Sequence, residues 1–130
     1  MIYESLHLSV SVARSPAEVY AFAANPENLP RWAAGLTGTI SRVDDRWVGQ
    51  TPDGPIVIMF APPNPFGVLD HDVTFPSGQT FYNPLRVFAN GEGSELVFTV
   101  FRREGTSPEA FEADAAAVLG DLRTLKSLLE

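Results

Sequence analysis

The sequence has no cysteine, which excludes disulfides, thiol nucleophiles and cysteine-ligated metals but says little about compartment. It has two histidines, His7 and His71, far apart and too few for a dedicated transition-metal site. Basic residues are scarce. Nine Lys and Arg against 16 Asp and Glu give a formal charge of -7 at pH 7, which repels a phosphate backbone or an anionic membrane over most of the surface. Neither nucleic acid nor a membrane is an expected partner. No apolar run approaches the roughly 18 residues of a membrane span, and the first ten residues lack the basic region and apolar core of a signal peptide, so a soluble, cytoplasmic protein is expected. No serine sits in a nucleophile-elbow context. The "NGEG" at 90–93 lacks the following helix of a phosphate-cradling loop and reads as a hairpin turn. No cofactor is expected.

What remains is ample for one core. The chain has 130 residues, 45% hydrophobic and 19% charged, without linker, repeat or low-complexity tract, and is read as a single domain over 1–130. Residues 2–12 alternate, with Leu6, Leu8, Val10 and Val12 on one side and His7, Ser9 and Ser11 on the other, predicting a strand with one wet face. In "SPAEVYAFAA", Ser15, Pro16 and Glu18 form a capping box at a helix start. "NPENLPRW" restarts the pattern, giving a second short helix that ends near Trp32. From 35 to 104, apolar runs are punctuated by short Gly, Pro, Asn and Asp clusters, predicting an antiparallel sheet of six to seven strands. From Ser107 and Pro108 onward, Phe111, Ala115, Val118, Leu122, Leu125 and Leu129 form one apolar stripe on a long helix that must lie across the sheet. Gly120 inside it costs roughly 1 kcal/mol against alanine and points to close approach or a bend.

The candidate chemistry lies in "LDHDVTFPSGQTFYNPLRVF", residues 69–88. A turn at Pro76–Gly78 sets His71 opposite Asn83. Leu69, His71, Val73, Phe81, Asn83, Leu85 and Val87 then share an inner face, while Asp70, Asp72, Tyr82 and Arg86 share the outer one. "DHD" is therefore no triad. His71 is either a histidine satisfied by Asn83 and a backbone carbonyl, a ligand contact, or an acid–base group with a pKa suited to neutral pH. Continuing the alternation sets Leu85 near Phe98, Asn83 near Val100 and Phe81 near Arg102. Arg102 is either a carboxylate- or enolate-binding group at a pocket mouth or a solvated strand end. Pro84 marks a bulge or an edge, and a bulge would shift every later face by one. Trp32 and Phe66 line a cavity or its entrance, or belong to the core. Tyr82, Phe88, Val97 and Phe101 make the outer face unusually apolar, which reads as a homodimer contact or as the mark of a bulge.

The order of strand, two short helices, hairpins and long C-terminal helix resembles the α+β helix-grip fold of the START and Bet v 1-like superfamily. The segments "SVARSPAEVYAFAANPENLPRWAAGL", "FGVLDHDV", "NPLRVFANGEGSELVFTVFRR" and "FEADAAAVLGDLRTLKSLLE" are similar to its bacterial polyketide cyclase/dehydrase (SRPBCC) branch. The resemblance implies a curved sheet gripping the helix, with an apolar pocket between them. Three functions follow as expectations. One is binding of a small hydrophobic molecule (lipid, quinone or polyketide-like) by the inner-face residues with Phe98, Arg102, Val118 and Leu122. The second is a cyclase or dehydratase using His71, with Asn83 or Arg102 stabilising an enolate. The third is an interaction module acting through the outer face.

Overall fold

The computed structural model describes residues 1–130. Strand β1 (Ser5–Val12) leads to helix α1 (Pro16–Ala23), whose cap is the Ser15 hydroxyl accepting from the Glu18 amide. A 3-10 turn (Pro26–Asn28), capped by Asn25, runs into helix α2 (Leu29–Trp32). Seven strands follow: β2 (Thr37–Val43), β3 (Arg46–Thr51), β4 (Gly54–Phe60), β5 (His71–Thr74), β6 (Thr80–Asn83), β7 (Leu85–Asn90) and β8 (Gly93–Phe101). Helix α3 (Pro108–Leu129) closes the chain, its first turn capped by Ser107. No helix is long and apolar enough to cross a membrane.

There are eight strands rather than six or seven, in two antiparallel sheets ordered β2-β3-β4-β5-β6 and β1-β8-β7. The extra strand comes from Pro84. Having no N–H to give the ladder, it ends β6, and the chain crosses there from the five-stranded sheet to the three-stranded one. No residue is inserted at the crossing, so the alternation survives: Leu85 and Val87 remain buried and Arg86 exposed. Leu85 pairs with Phe98 as predicted. Asn83 and Phe81 pair with His71 and Val73 in the five-stranded sheet, and the ladder between β7 and β8 ends at Leu85 and Phe98, so neither Val100 nor Arg102 is a ladder partner of β6.

The sheets are stitched together at this corner by Leu69 N–H donating to Leu85 O and Val87 N–H donating to Gly67 O, at 2.8 and 2.9 Å. Gly67 is required there. Its φ is +72°, and any Cβ would run into the carbonyl of Val87. The preceding loop is held by Asn64, whose Oδ1 accepts from the amides of Phe66 and Val68 and whose Nδ2 donates to the carbonyls of Pro62 and Val68.

The two sheets curve around α3, which buries Phe111, Ala115, Leu122 and Leu125. β8 supplies Leu96, Phe98 and Val100 to the same core, and β1 adds Val12. His7, on the wet face of β1, meets Thr99 across the ladder. Gly120 admits no close neighbour, since it is exposed with nothing near where its Cβ would be. It lies on the solvent side of the stripe.

Candidate functional site

The strand period places His71 on the inner face of β5, where it is 9% exposed. Its ring lies between Phe60, with centroids 5.1 Å apart, and Phe98, at 5.7 Å in an edge-on arrangement. Although His71 and Asn83 are cross-strand partners, the imidazole turns along its own strand, and Nδ1 lies 3.0 Å from the Leu69 carbonyl oxygen. Asn83 instead reaches back to Phe81 O at 3.5 Å. A carbonyl only accepts, so Nδ1 carries the proton and Nε2 is left as a bare acceptor. Nε2 has no hydrogen bond from protein. Burial pushes the His71 pKa below its usual value, outweighing the Leu69 carbonyl and the flanking charges of Asp70 and Asp72. The ring is neutral at pH 7.

His71 lines a cavity of about 370 Å³ between the five-stranded sheet, α2 and α3. Its wall is mainly apolar and includes Trp32, Ile56, Ile58, Val73, Phe98, Val118 and Leu122. Trp32 is 4% exposed, and its Nε1 is the one buried side-chain polar atom without a partner. Asp121, also in the wall, accepts from the Ala34 amide at 3.1 Å, and burial raises its pKa despite that bond. Next to this space lies a second of about 360 Å³, lined by Phe81, Asn83 and Val100. Val73, Phe75, Phe98 and Val118 border both, so the two spaces share one wall.

The candidate residues thus divide. His71, Trp32, Phe98, Val118 and Leu122 meet at the first cavity, and Phe81 and Asn83 join Phe98 and Val118 at the second. Leu69 and Leu85 are fully enclosed core. Phe66 is 80% exposed beside a separate surface groove. Arg102 borders neither cavity: its Nε donates to Thr106 O, and its guanidinium pairs with Glu4 at 3.3 Å. Thr51, Asp53 and Asp121 were not anticipated. Asp121 stands three residues after Val118 and four before Leu125, a spacing that puts it beside the apolar stripe. Thr51 and Asp53 come from the β3–β4 turn, and nothing in their local sequence points inward.

On the outer face the same hairpin is closed by an ion-pair network. Asp70 Oδ1 accepts from Leu85 N–H and Arg86 Nε, and Oδ2 accepts from Tyr82 OH and from Arg86 at 2.8 Å. The Arg86 hydrogen bond leads in holding the Asp70 carboxyl below its ordinary range.

No family model matches the sequence, and no curated protein does. Solved structures match the fold. Ara h 8.0201 aligns with a TM-score of 0.74 at 13% identity, over 98% of each chain. A START superfamily protein from Mycobacterium smegmatis gives 0.68 at 12% identity, over 96% of each. The fold is the helix-grip fold of START and Bet v 1-like proteins. DynU16, from the dynemicin biosynthetic locus, shares the helix grip with a TM-score of 0.72 at 17% identity, 96% of this chain covering 46% of that one. At such identities the likeness is one of fold, and a fold alone does not name a function.

Proposed function

We propose that the chain binds one small, mainly apolar molecule, of lipid, quinone or polyketide-like character, in the His71 cavity. The observation that carries this is the 370 Å³ space lined mainly by apolar side chains, with His71, Thr51, Asp53 and Asp121 as its polar members. Its size falls in the range of small-molecule sites, and such a lining fits an occupant with an apolar body and few polar groups.

The test uses a neutral fluorescent probe, N-phenyl-1-naphthylamine. Saturable binding with one site per chain supports the reading when Val118→Trp, which fills the space from α3, abolishes it. Absence of saturable binding, or binding indifferent to Val118→Trp, refutes it.

Proton transfer at His71 is a second reading, resting on the same unpaired Nε2 facing the same space. It lacks a neighbouring cation for a developing enolate, because Arg102 is held by Glu4 and Thr106. If His71→Ala leaves turnover of a candidate substrate unchanged, this reading falls. A homodimer contact through Tyr82, Phe88 and Phe101 is a third, supported by the half-exposure of Tyr82 and Phe88, although Tyr82 already stacks on Phe101 with Arg103 over the latter ring. A monomer at all concentrations in light scattering removes it.

A further inference from the structure

We infer that the His71 cavity selects a neutral ligand bearing a hydroxyl, alcohol or phenol, which donates to His71 Nε2, and that it discriminates against carboxylates. This rests on the cavity reading above and names the ligand class for the same site. The Leu69 carbonyl fixes the tautomer: with Nδ1–H committed to it, the neutral ring shows Nε2 to the cavity as an acceptor and nothing else. Nε2 has no hydrogen-bond donor from the protein, so a ligand donor that reaches it adds a bond that no protein group already makes. Trp32, in the same wall, carries the one buried side-chain polar atom without a partner, the donor Nε1–H. A hydroxyl both donates and accepts, whereas a carboxylate only accepts.

Charge points the same way. The cavity wall contains no Lys or Arg, and its ionisable groups besides His71 are Asp53 and Asp121. A ligand carboxylate would leave water with no cation to meet it. A pure hydrocarbon enters freely but leaves Nε2 unpaired.

The experiment is competition against N-phenyl-1-naphthylamine by four compounds of one skeleton: naphthalene, 2-naphthol, 2-methoxynaphthalene and 2-naphthoate. The expected order puts 2-naphthol about five- to tenfold tighter than its methyl ether, in keeping with one added hydrogen bond, and 2-naphthoate last. His71→Phe, whose ring fits between Phe60 and Phe98, is expected to erase the difference between naphthol and ether while naphthalene still binds. In the wild-type protein, whether or not that variant folds, the ¹⁵N resonance of His71 Nε2 moves with 2-naphthol and stays with the ether. Equal affinity of naphthol and ether, tightest binding by the carboxylate, or an unmoved Nε2 resonance overturns the inference. Displacement by naphthalene without a hydroxyl preference overturns this inference alone. Failure of all four to displace the probe overturns the cavity reading with it.

Discussion

The two faces of the hairpin from Leu69 to Val87 are made from adjacent residues and obey opposite rules. Outside, Asp70 has a protein donor on both oxygens, supplied by Tyr82, Leu85 and Arg86. Inside, His71 is bonded on one nitrogen and open on the other, and Trp32, which lines the same cavity, has no partner for its Nε1–H. Polar groups that hold the fold together are closed among themselves. Those left open belong to residues of the cavity wall.

The largest expected effect comes from breaking this contrast outright. His71→Asp puts a carboxylate between Phe60 and Phe98 with no cation in reach and takes the donor from Leu69 O, and should destabilise by about 3–5 kcal/mol in denaturant unfolding. Removing charge from the closed face is milder. Asp70→Asn keeps one acceptor but loses the bidentate pair, whose worth is limited by the half-exposure of Arg86, so about 1–2 kcal/mol is expected at pH 7. Because the folded carboxyl titrates below its ordinary 3.8, that penalty is full at neutral pH and shrinks as pH falls below that value.

Smaller still is Gly120→Ala, on the solvent side of α3, where nothing opposes a methyl group. It should stabilise by roughly 0.5–1 kcal/mol, read as a shift of the unfolding midpoint at constant slope. The last is His71→Phe, which keeps the ring's shape but takes the donor from Leu69 O, so an offset of about 1 kcal/mol is expected at pH 8, and the test lies in its pH dependence. The folded imidazole titrates below 6.5, so the unfolded wild-type chain binds a proton that the folded one refuses. Wild-type stability therefore falls relative to the variant as pH drops below 6.5. Parallel pH profiles for the two proteins would show that His71 is not buried as a neutral group.

How much of this was legible depended on how local the cause was. The hairpin register followed from the "PSG" turn and a period of two, and with it the pairing of Asp70 with Arg86. The caps at Ser15, Asn25 and Ser107 were likewise local. The direction of the His71 ring was not, because Asn83 and the Leu69 carbonyl are both within a strand's reach and only side-chain packing against Phe60 and Phe98 decides between them. Pro84 announced an interruption, but whether it inserts a residue or passes the chain to a second sheet is settled by the Gly67–Val87 and Leu69–Leu85 bonds. Arg102 and Phe66 took their places from Glu4 and from the Asn64 loop, partners that no alternation pattern names.

The pairing of β1 with β8 has a consequence for synthesis. His7 and Thr99 sit side by side although they are 92 residues apart in sequence, and β8 is the only strand that β1 touches. At about 5–20 residues per second, the ribosome leaves β1 without a neighbour for roughly five to twenty seconds, and α3 emerges later still. During that interval the alternating Leu6, Leu8, Val10 and Val12 are an unpaired apolar edge, open to chaperones and to other nascent chains. The His71 cavity, walled in part by Phe98, Val118 and Leu122, is finished only when the end of the chain arrives.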